Sequence, residues 1–285
     1  MATLREIRQR IASVKSTQQI TRAMKLVAAA KLRKSQQQLV KTRPYSEELN
    51  RAISILMRRG LINDHPLFKE RENRHVCYVL VTADRGLCGS FNANLIRSAV
   101  LELEKYLPVK PCLMTIGRKG YDYFRRREYP IAANYMDFFN RLNISQAEKI
   151  AGRMIKRYLD GDVDRVYVVY NEFRTIVQQK IVVKQFLPIV MEPFEEPEPS
   201  GMLFQPHPQK ILNRLLPKSI YFTLYRMLLE SATAEYGARM TAMELASDNA
   251  EEMIHDLILF YNKARQAAIT KELSEIVGGA EALRG

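Results

Sequence analysis

From residue 209 to about residue 277 the chain shows helical periodicity with hardly a break. After Pro217 there is no proline, and Gly237 is the only glycine before Gly278. Leu224, Leu228, Ala232, Ala238, Ala242, Leu245, Met253, Leu257, Ala264 and Ala268 fall on one broad stripe, the apolar face of an amphipathic helix. The pairs 242/253, 246/257, 253/264 and 257/268 stand eleven residues apart. That recurrence predicts about 3.67 residues per turn and little left-handed supercoil. A helix of about sixty residues runs about 90 Å. A compact domain of 285 residues has a radius of gyration of only about 19 Å. The helix is therefore expected to protrude, and its stripe needs a partner.

The other end of the chain supplies one. Residues 3–59 are helical in pattern almost throughout, with Leu4, Ile7, Ile11 and Val14 at coiled-coil spacing. Continuing that frame gives Gln18, Thr21 and Lys25, which are polar, and the apolar stripe re-forms on Ile20, Met24 and Val27. This shift predicts that the helix changes the side it buries. Pro44 is positioned to kink or break the helix, and Gly60 is a candidate stop. Two narrow stripes at opposite ends of one chain predict an antiparallel coiled coil, with Gln18, Thr21 and Asn249 as polar seam residues that set register. Ala28, Ala29, Ala30, Ala238 and Ala242 are small enough for close approach of the two helices.

Charge is unevenly placed. Residues 1–60 hold fourteen Lys and Arg against three acids, while residues 209–285 hold nine bases and ten acids. The basicity belongs to the first segment and favours an acidic partner. A cleaved targeting peptide would show a composition break, but the periodicity runs through residue 35. A membrane-surface helix would carry interfacial Trp or Phe, and a nucleic-acid arm interleaved aromatics; none precedes Tyr45. A strand of a helical shaft remains, with a basic coiled-coil nucleic-acid-binding protein as the alternative.

The middle of the chain has a different pattern. "VCYVLVTA" (76–83) and "PCLMTIG" (111–117) read as buried strands, and "RVYVVYNEF" with "KIVVKQFLPI" as a hairpin or edge pair. "ANLIRSAVLELEKYL", "RKGYDYFRRRE" and "SQAEKIAGRMIKRYLDG" read as helices, the last capped by Ser145 and closed by Gly161. This alternation predicts a Rossmann-like α/β module with a mainly parallel sheet. Residues 192–208 hold five prolines and four glutamates and read as an extended loop. The segments are thus 1–60, a coiled-coil helix; 61–191, the α/β module; 192–208, a proline-rich loop; and 209–285, the second coiled-coil helix.

No catalytic centre is announced. "DRGLCG" follows a strand and precedes a helix, where phosphate loops sit, but it lacks GxGxxG and GxxxxGK[ST]. It reads first as a tight turn, and an α/β enzyme would have to use it. Lys119 with Arg125, Arg126 and Arg127 reads first as a solvated face. His65, His75, His207 and His255 never take ligand spacing, so no metal is expected. Cys77, Cys88 and Cys112 form no CxxC pair and read as reduced, mostly buried thiols.

Three stretches resemble a known family. "IASVKSTQQITRAMKLVAAAKLRK", "TADRGLCGSFN" and "ARMTAMELASDNAEEMI" with the following "YNKARQAAITKELSEIVGGAEAL" are similar to the gamma subunit of F-type ATP synthase. The similarity covers essentially the whole chain. It implies a non-catalytic rotor subunit without a cofactor. Its paired helices would turn inside a ring of alpha and beta subunits, and its α/β module would contact the epsilon subunit and the c ring. Ion flow would then drive ATP synthesis through an asymmetric shaft. By position, the resemblance implies that Met24 and Lys25 pass acidic loops of beta. Arg265 and Gln266 contact a beta loop, Glu272 to Ile276 extend that zone, and Leu203, Phe204 and Gln205 form a foot on the c ring. It implies no nucleic-acid partner and only indirect membrane association, as a peripheral protein on the cytoplasmic side of a bacterial membrane rather than in the mitochondrial matrix or chloroplast stroma. The cysteine-bearing insertion of plant chloroplast relatives is absent, so redox regulation of that kind is not expected.

Overall fold

The computed structural model describes residues 3–58, 65–72, 74–106, 110–139, 142–176, 178–190, 205 and 207–282. Helix α1 spans Leu4–Arg58 and continues through Pro44 as one helix. Helix α5 spans Pro208–Ala282 with Pro217 inside it. The expected stop at Gly60 lies outside the described residues. The chain divides into two compact units, one of residues 1–28 with 240–285 and one of residues 29–239.

The second unit holds the α/β module. Its elements run β1 (Val76–Val81), α2 (Phe91–Glu104), β2 (Cys112–Ile116), α3 (Arg118–Arg125), β3 (Ile131–Tyr135), α4 (Ile144–Leu159), β4 (Arg165–Phe173) and β5 (Gln179–Leu187). Among the described residues the strands form one sheet in the order β3-β2-β1-β4-β5. All neighbours are parallel except β5, which returns antiparallel on β4 as the expected edge pair. β3 was not anticipated: "IAANY" is short and alternately exposed, as suits an edge strand. The cap of α4 also differs. Asn143, not Ser145, takes the N-cap, its Oδ1 accepting from Gln146 N at 2.9 Å. Gly161, at φ +85°, closes that helix as expected.

β1 is central and buried on both faces, which explains its unbroken apolar run. Tyr78 and Leu80 face Leu95, Ala99 and Leu103 of α2 and Phe124 of α3. Cys77, Val79 and Val81 face the opposite core, built from Ile150 and Met154 of α4, Ile53 and Leu56 of α1, and Leu224 and Leu228 of α5. The module therefore uses parts of both terminal helices as one of its covering layers.

Within this unit α1 and α5 pair antiparallel. Ser35 meets Thr233, Tyr45 stacks near Phe222 with ring centroids 4.3 Å apart, and Asn50 meets Ser219. The buried hydroxyls are small, so the two backbones come close. Thr233 Oγ1 donates to Leu229 O at 2.7 Å, which leaves its lone pair for the Ser35 hydroxyl 2.6 Å away. Thr233→Val strands that hydroxyl without an acceptor. Chemical denaturation is expected to show a loss of about 1–3 kcal/mol, most of it recovered in the Ser35→Ala/Thr233→Val double variant.

Candidate functional site

Open parallel sheets hold ligands where the strand order reverses, beyond the carboxyl ends of the strands. Here that point lies between β1 and β4, and α5 fills it. Ala234 packs, fully buried, against Ala83, Cys88 and Phe91, with Phe173 and Ala238 beside them. Side-chain acceptors also tie the turn to the loops around it. Asp84 Oδ1 accepts from Arg118 N at 3.1 Å and from Asp137 N at 2.9 Å. Thr82 Oγ1 accepts from Gly120 N at 2.9 Å, and Asn92 Oδ1 from Ala83 N at 2.9 Å. Asp84 of "DRGLCG" thus binds the turn to the start of α3 and to the segment after β3, and puts a carboxylate where an anion would sit. The filled crevice and the Asp84 carboxylate both speak against an α/β enzyme working through this turn.

The candidate functional surface lies in the other unit, where residues 4–28 of α1 pair antiparallel with α5. Arg8 Nη2 donates to Tyr261 Oη at 2.8 Å, Gln18 Nε2 to Glu251 Oε2 at 3.1 Å, and Arg22 Nη2 to the same oxygen at 2.7 Å. Lys25 Nζ meets Glu244 Oε1 at 2.5 Å. Each step forward along α1 is matched by a step backward along α5. The covered residues of α1 hold an unbroken frame, Leu4, Ile7, Ile11, Val14, Gln18, Thr21, Lys25 and Ala28, with Met24 and Ala29 half-covered beside it. The expected shift of stripe does not occur. Polar residues hold the seam, while Ile20 and Val27 face outward at 57% and 58% exposure.

On α5 the covered positions beyond the half-covered Glu244 and Ala246 are Ser247, Ala250, Ile254, Leu257, Tyr261, Ala264 and Ala268, alternately three and four apart. This is a 3.5-residue repeat, not the expected eleven-residue one, and it belongs to the left-handed class. Asn249 is exposed and outside the seam; the buried Ser247 takes the polar place, accepting from Arg22 Nε at 3.3 Å. Two bases of α1, Arg22 and Lys25, are thus answered by carboxylates of α5. The pairs are well exposed, so each is worth about 0–1 kcal/mol.

Beyond Ala268 every residue of α5 through Ala280 is exposed. Ile269, Leu273, Ile276 and Val277 stand 49%, 58%, 68% and 60% open. They recur four, three and one apart, so they share a face on a helix that has run past the start of α1.

Of the residues implied by the resemblance, Lys25 is tied to Glu244 and Met24 is half-buried beside it. Arg265, Gln266, Glu272 and Ile276 are exposed on one stretch of α5, and Gln205 is exposed in the other unit. Leu203 and Phe204 lie outside the described residues. The Glu244, Ser247 and Glu251 row was not picked out, because acids on a helix face look solvated until the partner helix is placed. Among the described residues no helix is long and apolar enough to cross a membrane.

Comparison with known proteins bears on the same features. A family model described as ATP synthase matches residues 3–283. The chain is 46% identical to the ATP synthase gamma chain of Heliobacterium modesticaldum, over 99% of this chain and the whole of that one. It is 45% identical to the gamma chain of Desulforamulus reducens, with the same coverage, and 47% identical to that of an Anaeromyxobacter species over the full length of both. Its fold is similar to a chain of the Euglena gracilis mitochondrial ATP synthase, with a TM-score of 0.69 at 20% identity, covering 98% of this chain and 94% of that one. A structure of the Tetrahymena thermophila central stalk and c ring matches with a TM-score of 0.62 at 21% identity, over 80% of this chain and 99% of that one. With a family model along nearly its whole length and full-length relatives well above 40% identity, the chain belongs to the ATP synthase gamma chain family.

Proposed function

We propose that the chain is the turning shaft of a rotary ATP synthase, non-catalytic itself, coupling a c ring to a ring of alpha and beta subunits. One observation carries this reading. Among the described residues nothing covers the apolar face of residues 269–280, and Ile20, Leu26 and Val27 are equally open on α1. Exposed apolar side chains grouped on a helix face call for an enclosing partner. A nucleic-acid partner would want the arginines and lysines free, whereas Arg22 and Lys25 answer Glu251 and Glu244.

The mechanism follows from asymmetry. α1 presents bases, α5 presents acids along part of its length, and only α5 carries the apolar tip. A ring subunit therefore meets a different surface at each angle of the shaft. Surfaces that bind one conformation of a catalytic subunit better than another shift its population, by as much as the difference in affinity. Met24, Lys25, Arg265, Gln266, Glu272 and Ile276 face beta in this reading. Lys25 exchanges Glu244 for a ring carboxylate at little cost, which suits a sliding contact. The α/β module, residues 61–191, meets epsilon and the c ring. The loop of 192–208, with Leu203, Phe204 and Gln205, rests on the c ring. The complex sits on the cytoplasmic face of a bacterial membrane, with this chain peripheral.

The quadruple variant Ile269→Ser/Leu273→Ser/Ile276→Ser/Val277→Ser tests the reading. All four side chains are exposed, so the thermal melt of the free chain is expected to stay unchanged. Burial of each in a sleeve contributes about 1–2 kcal/mol, so affinity for the alpha/beta ring is expected to fall at least about tenfold. Equal affinity of variant and wild type would remove the support for this surface as the bearing.

A further inference from the structure

Cys77 on β1 and Cys112 on β2 are direct partners in the parallel ladder. Their sulfurs are 3.5 Å apart, with Cys77 Sγ donating to Cys112 Sγ. Neighbouring strands lie about 4.8 Å apart, inside the window of about 4.4–6.8 Å that a disulfide needs between Cα atoms. A sulfur movement of about 1.5 Å closes the bond, within reach of side-chain rotation. The two thiols differ. Cys77 is buried, while Cys112 opens β2 and is half-buried. Above Cys112 the last turn of α4 places Arg157, whose Nη1 donates to Cys112 Sγ at 3.1 Å. Arg157 also lies 3.6 Å from Asp162, which fixes its direction.

We infer that Cys112 and Cys77 form a thiol–disulfide exchange site, with Cys112 the attacking sulfur, Cys77 the resolving one and a low-molecular-weight disulfide the substrate. The hydrogen bond from Cys77, and then the Arg157 guanidinium, bring the Cys112 pKa down to about 6 against the opposing effect of burial. The same hydrogen bond and burial push the Cys77 thiol well up. A thiolate is the nucleophile in such exchange. The Cys112 thiolate attacks one sulfur of the disulfide RSSR, forming a Cys112–SR bond and releasing RS⁻. Cys77 then attacks Cys112 Sγ, its proton passing to the departing second RS⁻. The first RS⁻ takes from solvent the proton that Cys112 gave up on ionising, so the products are a Cys77–Cys112 disulfide and two RSH: the chain loses two electrons and RSSR gains them. The bridge would staple the central strand to its neighbour in the base of the module. The site uses no inserted segment and none of the residues assigned to the bearing.

Oxidised glutathione is the probe, added to the full-length chain under nitrogen and followed by mass mapping of each cysteine. Wild type is expected to lose two hydrogens at Cys77 and Cys112 and to retain no glutathione. Cys77→Ser, or Cys77→Ala if serine is not tolerated in the buried strand, is expected to trap one glutathionyl group on Cys112. Arg157→Gln is expected to slow capture at Cys112 by tenfold or more with an unchanged thermal melt. Capture at Cys88 instead, a Cys112 that keeps glutathione with Cys77 present, or an unmodified Cys112 in the Cys77 variants would each overturn the assignment.

Discussion

Gly117→Ala is expected to prevent the α/β module from folding, seen as loss of soluble chain and of cooperative unfolding. Gly117 joins β2 to α3 at φ +93°, a conformation that side chains rarely adopt. A Cβ there would stand 2.0 Å from Thr82 O and 2.9 Å from Thr82 Oγ1. Thr82 has nowhere to go. It follows the central strand, its amide donates to Ile116 O at 2.8 Å, and its hydroxyl accepts from Gly120 N at 2.9 Å. A backbone clash at an immovable strand belongs with the exceptional losses, above about 4 kcal/mol, against a typical total of about 5–15 kcal/mol. Gly152→Ala on α4 is the control. A Cβ there meets nothing within 4 Å, and the change is expected to stabilise by up to about 1 kcal/mol. Equal stability of the two variants would contradict the account of the β2–α3 junction.

The second large effect is a pH dependence centred on Glu235. This carboxyl is buried on α5 and ion-paired with Arg239. Arg239 Nη2 also donates to Gly86 O at 3.2 Å. Burial raises the Glu235 pKa from 4.5 to about 7, outweighing Arg239 and Lys31, with Asp84 adding to the rise. An acid whose folded pKa is raised binds its proton more tightly in the native state. Its stabilising contribution is complete below the unfolded value and is lost as pH rises through the folded one. At 1.36 kcal/mol per unit this amounts to about 3 kcal/mol between pH 4.5 and pH 8. Glu235→Gln keeps an acceptor for Arg239 and does not titrate. The stability difference between variant and wild type is therefore expected to grow by about that amount in the variant's favour across the window, read from urea unfolding at each pH. A difference that stays flat from pH 5 to pH 8 would contradict the assignment.

The terminal helices and every described strand of the module except β3 were legible because their signals are local: unbroken periodicity, and short β-branched runs. The seam was legible only in part. Gln18, Thr21 and Lys25 interrupt the apolar frame, so the sequence reads as a shift of stripe. The structure keeps the frame, because Glu251 and Glu244 supply partners from more than two hundred residues away. Apolar periodicity cannot register a polar seam whose partner is that distant. The α5 frame was misread for a related reason: Leu245 and Met253 are apolar but exposed, while Ser247 is polar and buried. The "DRGLCG" turn sits where ligand loops sit, and only the placing of Thr82, Asp84 and Ala234 shows that the chain fills the position itself. Asn143 lost to Ser145 in sequence because two good caps two residues apart are separated only by backbone geometry. The apolar tip of α5 was visible as residues but not as a surface, since its exposure depends on where α1 begins.

The central claim is that this chain turns within an enclosing ring. Arg97 lies on the exposed side of α2, and Arg97→Cys in a Cys77→Ala/Cys112→Ala background offers a handle for a bead once Cys88 is shown to be unreactive. With the alpha/beta ring fixed to a surface and ATP supplied, the account predicts that the bead rotates in one direction, pausing once per catalytic subunit. A ring that hydrolyses ATP with this chain bound while the bead only fluctuates about one angle would contradict it.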